Sequence, residues 1–152
     1  MRYWEDFTPG EVITHRGAPV TAEAIIAFAK EYDPQPFHLD EDAARDSLLG
    51  GLCASGWHTC ALLMRLIYDG YVDNSSSMGG PGLEELKWLK PVRPGDVLEL
   101  RATCLETRLS KSRPEMGIVK FSWDLFNQTN DHVLTCTGIS FFGRHEPAAV
   151  TP

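Results

Sequence analysis

The chain has 152 residues, 14 basic and 21 acidic side chains and a formal charge of −7, which suits one domain with a real core. That balance leaves no basic stripe to displace phosphate counterions, so nonspecific nucleic-acid binding is not expected, although one small anionic ligand is not excluded. No apolar run is long enough to span a bilayer and no apolar h-region follows Met1, so a cytoplasmic protein with no membrane partner is expected.

Trp4 to Gly10 reads as an entry segment ending in a Pro-Gly turn. Glu11 to Ala18 fits a strand with Val12 and Ile13 on opposite faces. Thr21 is placed to cap a helix whose apolar stripe is Ala22, Ile25, Ile26, Phe28 and Ala29. Pro34 and Pro36 must stop that helix near Tyr32 or Asp33, because each proline fixes its own φ and biases the residue before it toward extended backbone. The stretch Asp33-Pro34-Gln35-Pro36-Phe37-His38-Leu39-Asp40 should therefore be a stiff, irregular turn. Such a turn can hold Asp33 and His38 toward one small volume, as a general acid–base pair requires. The same residues also fit a plainer role, with Asp33 as a turn or cap residue and His38 as a packed histidine. Asp40 is placed to cap a short helix through Asp46, and Gly50-Gly51 ends that region.

From Trp57 to Tyr71 nearly every helical face carries apolar residues, which predicts a helix buried against a sheet that curves around it. Arg65 and Asp69 stand at i,i+4 and can pair along one edge. Asp73 to Gly82 is a loop by composition, a connector or a lid. Leu83 to Leu89 begins a run of strands. Lys90 to Asp96 is a turn fixed by two prolines and a glycine. Leu98, Leu100, Ala102 and Cys104 alternate with polar residues, as do Val119, Phe121, Trp123 and Leu125. Asn127 to Asp131 is a hairpin turn, and Val133, Thr135, Thr137, Ile139 and Phe141 share one face of the last strand. Helices in the first half and antiparallel strands in the second argue for α+β, with one domain over 1–143 and a disordered tail over 144–152. Cys53, Cys60, Cys104 and Cys136 lie in apolar contexts with no C-x-x-C pair, so buried free thiols are expected.

Phe7…Gly10, Val20-Thr21, Asp33…Pro36-Phe37-His38-Leu39-Asp40, Gly51-Leu52-Cys53-Ala54-Ser55-Gly56 and Leu89-Lys90-Pro91-Val92-Arg93-Pro94-Gly95-Asp96 occur here in one order. In that order and spacing the chain resembles the MaoC-like dehydratases, which include the (R)-specific enoyl-CoA hydratases. The resemblance implies a hot-dog fold, an antiparallel sheet wrapped around a long helix. It implies a homodimer or higher homo-oligomer, an acyl-CoA thioester as substrate with its acyl chain in a tunnel, and no cofactor or metal. It places catalysis on Asp33 and His38, and binding of the thioester oxygen on Gly56 beside Ser55. Two departures stand out. Ser55 occupies a position where many of these hydratases carry His, and the stretch around Leu63-Met64-Arg65 lacks the Ser they often have. His58 stands near enough to Gly56 to supply a polar group, or else is an interior histidine.

Hydration of a 2,3-enoyl thioester needs a base for water, an acid for the α-carbon and a donor for the enolate oxygen. A coupled Asp/His pair and a helix N-terminal N–H supply these. A thioesterase on the same fold and a non-catalytic acyl-CoA-binding protein remain as alternatives, because a fold hosts several functions. Cys53, His58 and Cys60 do not have the spacing of a usual zinc site. Lys87, Lys90 and Arg93 are either partners for the CoA phosphates or solvated surface charge.

Overall fold

The computed structural model describes residues 1–145. Strand β1 spans Val12–Pro19, helix α1 Ala22–Tyr32 and the short helix α2 Glu41–Arg45. Helix α3 covers Gly56–Ile67 and runs on through a wider π turn at Tyr68–Val72. Strands β2 (Leu83–Trp88), β3 (Val97–Leu109), β4 (Met116–Phe126) and β5 (His132–Gly143) follow. They form one antiparallel sheet in the order β1-β3-β4-β5-β2. The sheet packs its apolar face on α3, as the α+β reading expects.

Local chemistry sets the element ends. Thr21 caps α1, its side chain accepting from Ala24 N–H at 3.1 Å. Asp40 caps α2 by accepting from Ala43 N–H at 2.8 Å. Ile25 and Ala29 anchor α1 in the core, and Leu63, Leu66 and Ile67 anchor α3. Each fully buried large aliphatic side chain contributes about 1.5–3 kcal/mol over an exposed one. The sheet answers with Leu98, Leu100, Ala102 and Cys104 of β3 and Val119, Phe121, Trp123 and Leu125 of β4, the two alternating sets read from the sequence. The Trp123 indole N–H donates to the buried Tyr71 hydroxyl at 2.9 Å, so neither polar group is left bare.

Three expectations need correction or completion. Helix α3 is not buried all round: Trp57 is 60 % and Met64 51 % exposed, with Ala61 and Tyr68 on the same stripe. In β5 the expected set from Thr135 to Phe141 does share a face, but the core takes Leu134, Cys136 and Phe142. Directly paired residues of neighbouring strands share a face, and Trp123 opposes Cys136 while Leu125 opposes Leu134. The segment 73–82 is a connector bonded to the end of β5, with Met78 N–H donating to Phe141 C=O and Gly143 N–H to Ser76 C=O.

All four cysteines are free thiols, three of them buried and Cys60 half-buried. Arg144 and His145 N–H both reach Glu5, at 3.2 and 3.1 Å. The remainder of the expected tail, 146–152, lies outside the described residues.

Candidate active site

The turn from α1 to α2 is held by its own backbone. Asp33 N–H still donates to Ala29 C=O, and Gln35 N–H then turns back to Asp33 C=O at 2.8 Å. Pro36 opens a single 3₁₀ turn, Pro36–His38, in which His38 N–H donates to Gln35 C=O. A proline suits that first position because its missing N–H would have had no partner there. The result is a rigid bend that brings Asp33 Oδ2 and His38 Nε2 to 3.5 Å.

A second segment, Gly51 to Ser55, runs through the interior and delivers the start of α3 to the same place. Leu52, Cys53, Ala54 and Ser55 are all buried. A buried irregular segment must have its carbonyls satisfied, and Arg93 does this. Its guanidinium donates to Gly51 C=O at 2.7 Å, to Leu52 C=O at 3.5 Å and to Leu49 C=O. Ala54 N–H donates to Val92 C=O at 2.9 Å. The turn carrying Arg93 is itself fixed by buried Asp96, which accepts from Arg93 N–H and from the Gln128 side chain. Arg93 is thus a structural clamp, and Lys90 is paired with Asp131 at 2.6 Å. Lys87 is exposed and has no ion pair among the described residues.

Around the pair, each contact constrains the chemistry. His38 Nδ1 lies 2.7 Å from Cys53 C=O. A carbonyl only accepts, so Nδ1 carries a proton and the neutral ring presents a bare Nε2 toward Asp33. Ser55 Oγ donates to Asp33 Oδ2 at 2.6 Å, and the Gln35 amide donates to Oδ1 at 2.7 Å. The Ser55 hydroxyl is the main reason the Asp33 carboxyl sits below its ordinary value; partial burial opposes it, while Gln35 and the His38 charge assist. Ser55 also accepts from Trp57 N–H at 3.3 Å, so one hydroxyl caps α3 and orients the carboxylate. The role of Ser55 toward Asp33 was not legible in the sequence.

His38 and Gly56 line one cavity of about 490 Å³, walled mainly by apolar residues including Phe37, Leu49, Trp88 and Val92. Asp33 is not a wall residue, and its side chain is 18 % exposed. Gly56 is the first residue of α3, and no acceptor takes its N–H among the described residues. A donor at that end of a helix favours developing negative charge. Cys53 Sγ is 3.9 Å from His38 Nδ1, but burial pushes its thiol pKa up, which suits packing rather than attack.

His58 does not join this site. It stacks on Phe28 at 4.8 Å, lines a separate cavity of about 290 Å³, and its Nδ1 is buried without a partner among the described residues. Burial lowers its pKa and so favours the neutral ring. Among the described residues no group of three or more His, Cys, Asp or Glu side chains is arranged to hold a metal ion. Among the described residues no helix is long and apolar enough to cross a membrane.

The family model for the MaoC like domain matches residues 6–121. The crystal structure of the MaoC-like dehydratase from Rhodospirillum rubrum is 44 % identical and has a TM-score of 0.86, with 95 % of this chain and 98 % of that one covered. The uncharacterized protein YdeM of Bacillus subtilis (strain 168) is 30 % identical over 124 residues, 82 % of this chain and 86 % of that protein. In fold alone the chain also matches the R-hydratase PhaJ1 of Pseudomonas aeruginosa, at 22 % identity and TM-score 0.75, covering 99 % of this chain and 94 % of that one. The match over most of the sequence, together with the sheet-wrapped helix, establishes that this chain has the hot-dog fold and belongs to the MaoC-like dehydratase family.

Proposed function

We propose that the protein is a hydratase/dehydratase that adds water to, or removes it from, the 2,3 position of an acyl-CoA thioester. The observation that carries this reading is the bare Nε2 of His38 at 3.5 Å from Asp33 Oδ2, in the cavity wall that also holds Gly56. Two acceptors facing each other at that distance suit a water that donates to both. In the hydration direction the water oxygen bonds to C3 while one of its protons passes to the pair. The C2–C3 electron pair shifts toward the thioester oxygen, which takes the Gly56 N–H. The pair then returns the proton to C2 and the C=O re-forms, so one water has been added and no electron is gained or lost. Asp33, kept ionised by Ser55, stabilises the imidazolium that forms in between. The family match and the hydratase of like fold support the same reaction class.

The reading extends to a homodimer. Trp57, Met64 and Tyr68 of α3 are exposed, and so are Leu83 and Trp88 of the edge strand β2. An unpaired edge beside exposed aromatic residues suits a self-complementary contact across a twofold axis. Free thiols and a CoA substrate suit the reducing cytoplasm.

The test is turnover on a panel of trans-2-enoyl-CoA and 3-hydroxyacyl-CoA thioesters, following enone absorbance and free thiol together. Loss of enone without thiol, reduced about 100-fold or more in Asp33→Asn, supports the reading. Release of thiol moves the assignment to a thioesterase. Tight binding of an acyl-CoA with no product makes the chain a binding protein.

A further inference from the structure

We propose that Trp88 sets the acyl-chain length this protein accepts, by closing the catalytic cavity at Gly56 and cutting it off from a second apolar cavity further along α3. The inference rests on the acyl-thioester reading above and names a determinant of its substrate class.

Gly56, Cys60, Leu63 and Ile67 follow one another on a single face of α3, at intervals of four, three and four residues. The first lines the catalytic cavity. The other three line a different cavity of about 250 Å³, together with Trp123 and Ile139. The two spaces are therefore neighbours along one helix face, and the Trp88 indole stands where they would meet. Its ring lies so close over Gly56 that a Cβ there would fall 2.6 Å from Trp88 Cε2. It lies beside the next turn as well: burial pushes the Cys60 thiol pKa up, and the nearby Trp88 indole N–H opposes the rise. Trp57 holds the indole edge-on from outside, ring centres 5.5 Å apart. A bulky ring braced on three sides is a wall, and only a glycine at position 56 leaves room for it.

Chain extension beyond the catalytic cavity thus meets the indole instead of the apolar space behind it. Each methylene that does become buried improves affinity about fourfold. In the wild type this gain should stop after the first few carbons. In Trp88→Ala, and to a smaller extent in Trp88→Leu, it should continue, moving the optimum to longer chains. Adding Ser140→Phe to Trp88→Ala refills the second cavity, because Ser140 lines it and pairs with buried Val119 on the core face of β5, and should bring the short-chain preference back.

The experiment measures kcat/KM across trans-2-enoyl-CoA thioesters from crotonyl to dodecenoyl for all four proteins. Binding of the matching saturated acyl-CoAs is measured by calorimetry, with thermal unfolding to confirm that each variant is folded. A lengthened profile in the Trp88 variants that Ser140→Phe reverses supports the proposal. The same length profile in wild type and Trp88 variants overturns it while leaving the hydratase reading intact. Binding whose length dependence shifts as expected, with no turnover anywhere, keeps the wall and removes the hydratase. Failure of every thioester to bind or react removes both.

Discussion

Ser55 Oγ sits 2.6 Å from Asp33 Oδ2, across 22 residues of sequence, and the same oxygen accepts from Trp57 N–H. One buried hydroxyl therefore ties the start of α3 to the end of α1 and holds the carboxylate ionised.

Ser55→Ala should act on both bonds. Losing the cap costs about 1 kcal/mol, a fall in Tm of about 2–4 °C for a chain of this size. Losing the hydroxyl lets the Asp33 carboxyl climb toward its ordinary value, so the acid limb of the kcat/KM profile moves to higher pH. The sign for stability follows from the depressed carboxyl. Its contribution is present above the unfolded carboxylate value, about 4, and is lost as pH falls through the lower folded value. The gap in urea midpoint between wild type and variant should be constant at neutral pH and narrow on acidification. A gap that widens on acidification would contradict the assignment.

The neutral form of His38 should be the Nδ1–H tautomer, because Cys53 C=O can only accept. Nitrogen-15 NMR of selectively labelled protein checks this. At high pH Nδ1 should show the shift of a protonated nitrogen and Nε2 that of a bare one. The reverse pattern would mean that the Cys53 contact is broken in solution and that no lone pair faces Asp33.

Arg93→Ala should destabilise the fold by about 2–3 kcal/mol, since several carbonyls of a buried segment lose a charged donor. Urea unfolding reads this directly, and kcat should fall with it because the segment delivers Gly56. A raised KM for CoA substrates with unchanged stability would instead make Arg93 a phosphate ligand.

Gly56→Ala should cost about 1–3 kcal/mol and most of the activity, because the new Cβ meets the Trp88 ring at 2.6 Å. Combined with Trp88→Ala, the stability loss should be largely relieved. The measurement is a double-mutant cycle on unfolding free energies, and additive effects would show that the two residues are not in contact.

Much of this protein is legible from local chemistry alone. Thr21 and Asp40 start helices through side-chain caps, Pro34 ends one through its fixed backbone, and the alternation in β3 and β4 sets which residues turn inward. The bend that places Asp33 near His38 follows from two prolines five residues or fewer from either side chain, so the pair could be named before any contact was known.

The remainder depends on which surfaces meet. Apolar residues surround α3 in sequence, but Trp57 and Met64 stay exposed because the sheet covers only one side of the helix. Two phases of β5 are both apolar enough to be buried, and only pairing with Trp123 and Leu125 selects Leu134 and Cys136. Arg93 reads from sequence as a phosphate partner or a solvated charge, and only the convergence of the Leu49, Gly51 and Leu52 carbonyls on it shows a clamp. Ser55 beside Asp33, and Trp88 over Gly56, are likewise contacts between segments far apart in the chain. Propensity and periodicity act over a few residues, so the sequence determined the elements and the turn that joins Asp33 to His38. Packing acts between surfaces, so the tertiary structure alone decided how that turn is tuned and how its cavity is closed.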